Sequence, residues 1–146
     1  MPLLKHNVVI AAPVAKVFEY VADPATMVEW LSSMMEIRDL IGTGAGQQYG
    51  WTYKYVGLLL NGQSTVVEHV PNELAVHQTI GTINSVWTFK FEPHDEGTSL
   101  TLEVEYNIPI PVLGKLAERL VLRRDKRSLA SALANIREML EAEPAD

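Results

Sequence analysis

The chain has 146 residues and a mass of 16.2 kDa, the size of one domain (1–146) that can bury a core without a covalent staple. Its 47% hydrophobic and 21% charged residues exclude a disordered chain, and zero cysteine excludes a disulfide scaffold, a thiolate nucleophile and a Cys-ligated metal. A net charge of −6 weighs against general nucleic-acid binding, no apolar run reaches membrane-span length, and the first residues lack a signal-peptide apolar segment, so a cytoplasmic protein is expected.

In chain order, Leu3–Ile10 has the length and β-branched content of a strand. Ala12-Pro13 ends it and opens a short helix over Val14–Ala22, since proline is preset for a first helical position. Asp23-Pro24 repeats the start signal, and Ala25–Ser32 reads as a second short helix. The pattern then changes to period two, with strands expected at Met35–Ile41, Gln48–Val56, Leu59–Val70, Ala75–Ile80, Val86–Glu92 and Ser99–Asn107. Glycine- and asparagine-rich turns separate them at hairpin spacing, so the six should pair as an antiparallel meander. Asn107-Ile-Pro-Ile-Pro111 is a stiff connector, and Leu113 to Glu141, free of proline, is one long helix.

That helix changes phase. Leu122, Leu129, Leu133, Ile136 and Leu140 form one apolar stripe, whereas Leu113, Leu116 and Leu120 fall on another side. Either a kink lies between Val121 and Arg124, or the first turns face something different from the last. Its charge is uneven too: Lys115–Arg127 carries six cations against Glu118 and Asp125, a local net of +4. This stretch is a candidate contact for an anionic partner or a membrane surface.

Alternation assigns the faces of the sheet. Trp51, Tyr53 and Tyr55 share one face, as do Trp87, Phe89 and Phe91, and Leu100 to Tyr106 by alternate residues; Thr, Lys and Glu take the other. Seven of the eleven aromatics lie within 49–55 and 87–91, and several carry N–H or O–H groups that need partners when buried. An apolar wall with a few converging polar groups describes a small-molecule pocket.

Smaller features compete with it. The 42–46 glycine turn lacks the Gly-Lys-Ser/Thr ending of a phosphate loop and sits between strands, so it reads as a hairpin turn. His6, His69, His77 and His94 show no helical ligand spacing, and no metal is expected. His69 faces inward if Val67 does; for the next strand, Ala75-His77-Thr79 and Val76-Gln78-Ile80 are both plausible inner sets. Glu36 and Arg38 read as an outward pair, and Asp39 shares parity with Met35 and Ile37, a weak candidate for the cavity rim.

The motifs Ile10-x-Ala12-Pro13-x-x-x-Val17-Phe18, Asp23-Pro24, Trp30, the 42–46 turn, Trp87-x-Phe89-x-Phe91-Glu92-Pro93 and Gly97-Thr98 occur in an order that resembles the START-related, or SRPBCC, superfamily. That superfamily includes polyketide cyclase/dehydrase-like and lipid-transfer proteins. The resemblance covers residues 3–142 and implies an α+β helix-grip fold: a curved seven-stranded antiparallel sheet wrapped around a long C-terminal helix, with two short helices after strand 1. It also implies an elongated cavity between sheet and helix for a hydrophobic ligand.

Together these features predict a single START-like domain that binds or transports a hydrophobic small molecule (a lipid, acyl, isoprenoid or aromatic, polyketide-like compound) without a cofactor. The expected wall is Trp51, Tyr53, Tyr55, Trp87, Phe89 and Tyr106, with His69 and Arg119 as polar anchors, Arg119 because it lies in the out-of-phase half of the helix. A cyclase or dehydratase using the same cavity is the alternative, and an interaction or co-chaperone-like module using the basic helix face is a second. The connector 107–114, with Pro109, Pro111 and Gly114, is the expected gate, together with the Gly57–Gly62 hairpin.

Overall fold

A computed structural model describes residues 2–142. Strand β1 (Leu3–Ile10) is followed by helix α1 (Val14–Val21), a 3-10 turn (Pro24–Thr26) and the single helical turn α2 (Met27–Trp30). Strands β2 (Met34–Ile41), β3 (Gln48–Tyr55), β4 (Leu58–Val70), β5 (Leu74–Gly81), β6 (Ser85–His94) and β7 (Gly97–Tyr106) come next, then helix α3 (Lys115–Glu141). The seven strands form one sheet in the order β1-β7-β6-β5-β4-β3-β2, antiparallel throughout. This is the α+β helix-grip architecture, with α3 held in the grip of the sheet.

Local chemistry explains the entry into each piece. Pro13 stands at the N-cap of α1 in an extended conformation, and the carboxylate of Asp23 accepts a hydrogen bond from Ala25 N at 3.0 Å to start the 3-10 turn. The expected single helix over 25–32 is thus divided into a 3-10 turn and one α-turn, with proline and Thr26 at their joints. Thr98 Oγ1 donates to Ala12 O at 2.8 Å in a buried bond that fastens the β1–α1 corner to β7.

Helix α3 runs unbroken, so the change of phase is not a kink. Its second half buries Leu129, Ala132, Leu133, Ile136 and Leu140 against Ile10, Trp30, Phe89, Leu100 and Leu102, each large side chain contributing about 1.5–3 kcal/mol on burial. Asn135 Nδ2 donates to Trp30 O at 3.1 Å and Glu141 Oε2 accepts from Ala11 N at 2.8 Å, which ties this end down. The first half exposes Leu116 and Leu120, and Leu113 before it. The sheet therefore grips the C-terminal part of α3 tightly and leaves space beneath its N-terminal part.

Candidate functional site

Cross-strand register builds the site. On the concave face Tyr49 stands opposite Ser64, Ser64 opposite Thr79, Thr79 opposite Ser85, and Ser85 opposite Tyr106. Five hydroxyl side chains thus form one row across β3 to β7, at the roughly 4.5–5.5 Å spacing of direct cross-strand neighbours. A second row, His77, Trp87, Val104 and Leu4, runs beside it across β5, β6, β7 and β1. Trp51 faces Gly62 on β4. A Cβ on Gly62 would lie 2.3 Å from Trp51 Cζ2 and 2.6 Å from Ile80 O, so the bare glycine lets the indole lie down across the strand.

These rows form the floor of a cavity of about 90 Å³, several times the roughly 10–15 Å³ that admits one water. Met27, Leu31 and Met34 close it on one side, while Asp125, Ser128 and Leu129 of α3 form the roof. Half-buried Thr79, Ile83 and Trp87 bring the wall near the β5–β6 turn to solvent. There the connector is clamped by a reciprocal pair: Asn84 N donates to Asn107 Oδ1 at 2.7 Å and Asn107 N to Asn84 O at 3.1 Å.

Two polar nodes sit in this apolar space. In the roof, the buried carboxylate of Asp125 accepts hydrogen bonds from Tyr55 Oη at 2.9 Å and from Tyr106 Oη, on the same oxygen. Its other oxygen lies 3.7 Å from an Arg124 guanidinium nitrogen, and that guanidinium stacks 5.4 Å from the centre of the Tyr55 ring. Burial, reinforced by the adjoining carboxylate, pushes both tyrosine hydroxyls above their ordinary pKa, so they remain donors. In the floor, Tyr49 Oη meets His77 Nδ1 at 2.7 Å. Burial, helped by the neighbouring charge of His69, lowers the His77 pKa to about 4 and keeps the ring neutral near pH 7. Trp51 Nε1 and His77 Nε2 are buried without hydrogen-bond partners, each at a cost of about 1–3 kcal/mol while unpaired, and Ser64 Oγ, also buried, has only a loose contact with the Tyr49 hydroxyl opposite it. Thr79 and Ser85, by contrast, share a short hydroxyl contact, and Trp87 Nε1 donates to Ser85 Oγ at 3.0 Å.

Of the residues expected from sequence, Trp51, Tyr53, Tyr55, Trp87 and Tyr106 line this cavity. Phe89 lies behind it in dry core, edge-on to Trp30 and to His77. His69 lies outside it. A bulge between Val66 and Glu68 turns Val67 out to solvent and returns His69 to the concave side too far along the strand, where it packs edge-on against Phe18 at 5.1 Å. Arg119 must also be corrected: it is exposed and shares a surface recess with Lys115, Glu118, Leu122, Arg123 and Lys126. Six residues along an α-helix leave it about 120° around the axis from Asp125, and Asp125 is the charged α3 side chain that enters the cavity. Asp39 is exposed at φ 55° within a β2 irregularity, away from the rim. Glu36 and Arg38 do pair, at 3.8 Å.

Sequence reasoning missed Asp125, counted only as one acid in a basic stretch, although its position continues the spacing of Leu129, Ala132 and Ile136. It left His77 unassigned, and Ala75-His77-Thr79 proves to be the inward set. Ser64 and Ser85 gave no signal because small hydroxyls suit either face of a sheet. Among the described residues no three of His, Asp and Glu gather as a metal site, and no helix is long and apolar enough to cross a membrane.

Solved structures share the architecture. TTHA0849 from Thermus thermophilus superposes with a TM-score of 0.83 at 22% identity, covering 97% of this chain and 98% of its own. CV1439 from Chromobacterium violaceum gives 0.76 at 16% identity over 98% and 100% of the two chains. The ZhuI aromatase/cyclase from Streptomyces sp. R1128 gives 0.75 at 14% identity over 96% and 93%. No curated protein sequence matches the chain significantly. A model of the family described as polyketide cyclase/dehydrase and lipid transport matches residues 1–141; with the helix-grip fold, this places the chain in that family, within the SRPBCC superfamily.

Proposed function

We propose that this protein binds an aromatic or otherwise apolar small molecule in the cavity between the sheet and α3. The observation that carries the reading is the cavity's make-up: aromatic and aliphatic walls around one row of hydroxyls and two polar nodes. Walls of that kind supply affinity by burial, and a few fixed polar groups supply orientation. The test is a cavity-filling variant. Ser128 is half-buried in the roof, so Ser128→Phe should cut the affinity for a naphthalene-sized probe by about tenfold or more, as read by calorimetry. Arg119→Ala should leave that affinity unchanged. Equal binding by wild type and Ser128→Phe would place the ligand elsewhere.

The roof node favours a second reading, a cyclase or dehydratase. Tyr55 or Tyr106, on turning its proton from Asp125 to a substrate oxygen, could polarise a carbonyl while the walls fold a poly-β-carbonyl chain, which is catalysis by positioning and electrostatics. The titratable groups of the cavity do not choose the reaction. Turnover does: release of water from a poly-β-carbonyl substrate, lost in Tyr106→Phe, would establish the enzyme, and stoichiometric binding without turnover would establish the carrier.

Exposed Leu113, Leu116 and Leu120 beside Lys115, Arg119 and Arg123 support a further contact, with an anionic lipid surface, at the start of α3. A variant with Arg119, Arg123 and Lys126 changed to Ala should sediment less with phosphatidylserine vesicles while keeping its small-molecule affinity. Unchanged sedimentation would remove this contact from the account.

A further inference from the structure

Three buried polar atoms that make no hydrogen bond of ordinary geometry lie on adjacent strands of the same cavity floor. Trp51 Nε1 is on β3, Ser64 Oγ on β4 and His77 Nε2 on β5. Ser64 is one pleat from the residue facing Trp51 and one pleat from the residue facing His77, diagonal positions about 7–8 Å apart or less. Their residues are 3%, 2% and 1% exposed, so bulk water does not satisfy them.

Their hydrogen-bonding sense can be worked out. An indole N–H can only donate, and a serine hydroxyl can donate or accept. The Tyr49 hydroxyl, which takes a proton from Ser64 beside it, touches two acceptors, His77 Nδ1 at 2.7 Å and Met27 Sδ at 4.0 Å. A thioether is a weak acceptor and an imidazole lone pair a strong one, so Tyr49 donates to Nδ1. That leaves the proton of the neutral ring on Nε2, on a residue that lines the same cavity as Trp51 and Ser64. Three donors then line one cavity: the Tyr49 oxygen beside Ser64 can take the serine proton, and no acceptor is assigned to Trp51 Nε1–H or His77 Nε2–H.

From this geometry we infer that Trp51 Nε1–H, Ser64 Oγ–H and His77 Nε2–H form a donor pole that selects ligands bearing an oxygen acceptor: a ketone, carboxylate or phenolate on an apolar body. Plain hydrocarbons of the same shape are discriminated against, because they leave the Trp51 and His77 donors unpaired. Phe89 stacked edge-on to His77, and Gly62 beneath Trp51, hold two of the donors in place. The inference rests on the cavity being the ligand site, and the experiment separates the two claims.

The probes are 2-acetonaphthone and 2-isopropenylnaphthalene, which differ only by a carbonyl oxygen in place of a methylene. Calorimetric titration of the wild-type protein should give the ketone an affinity about tenfold or more above that of the hydrocarbon. Ser64→Ala should reduce that preference to about threefold or less while the hydrocarbon binds as before. Equal affinities, or tighter binding of the hydrocarbon, overturn the donor pole and leave the cavity reading standing. Failure of both probes to bind overturns the cavity reading and the donor pole with it. An independent readout needs no substitution. Long-range nitrogen–proton correlation spectra of the histidine rings should show His77 as the Nε2–H tautomer, its Nε2 resonance shifting when the ketone binds; an Nδ1–H tautomer overturns the assignment.

Discussion

His77 is held neutral by burial, and that has a consequence for stability. Its pKa is about 4 in the folded protein and about 6.5 in an unfolded chain. Between those values the unfolded state binds the extra proton, so stability is complete above about pH 6.5 and falls as pH drops toward 4. The contribution is on the order of 3 kcal/mol. Chemical denaturation at about pH 7 and about pH 4.5 should show the wild type losing more stability than His77→Gln over that interval; parallel losses would contradict burial of the ring. Asp125 sets up a different test. Asp125→Ala leaves the hydroxyls of Tyr55 and Tyr106 without their acceptor, and should destabilise the protein by about 2–4 kcal/mol. The double variant Tyr55→Phe, Tyr106→Phe on that background should recover part of the loss. At Gly62 an added Cβ would meet the Trp51 indole and the Ile80 carbonyl. Gly62→Ala should therefore cost about 1–3 kcal/mol and shift tryptophan emission, measured by urea denaturation followed by fluorescence. The aromatic wall was legible in the sequence because large side chains two apart can only share a face. Asp125 was not, since a carboxylate surrounded by cations in sequence looks solvated until the helix axis turns it toward two tyrosines.

The elements differ in how far their patterns determined them. Strands β3, β6 and β7 alternate cleanly, and their inner faces follow from composition. Strand β4 does not, because the bulge after Val66 changes which parity points inward: Ser64 and Val66 face in before it and His69 after it, where the strand has already passed the cavity and His69 packs on Phe18. No residue type near Val67 announces that bulge; only pairing to β5 does. Helix α3 showed its change of phase in sequence, and the structure resolves it as a continuous helix whose halves meet different surroundings. The N-terminal half, preceded by the 107–114 connector and clamped at Asn84 and Asn107, is the weakly packed end. Backbone amide exchange across 112–122 should slow when a ligand fills the cavity, since the roof then gains a packed surface beneath it. Exchange that is unchanged throughout that segment would remove the connector as a gate.

For the whole molecule, one sheet wrapped around one helix gives a core at one end and a cavity at the other. Leu129 to Leu140 close the packed end, and Asp125, Ser128 and Leu129 roof the open end. The charge follows the same division, with cations gathered along the exposed start of α3 on a chain of net −6. The central claim is that the open end holds a small molecule. A nitrogen–proton correlation titration with 2-acetonaphthone tests it most directly. Saturable shifts are expected at the Trp51 indole and at the amides of Ser64, His77, Tyr106 and Ser128, with little change at Lys115, Arg119 and Arg123. Shifts confined to that basic surface, or no saturable shift in the cavity residues, would contradict it.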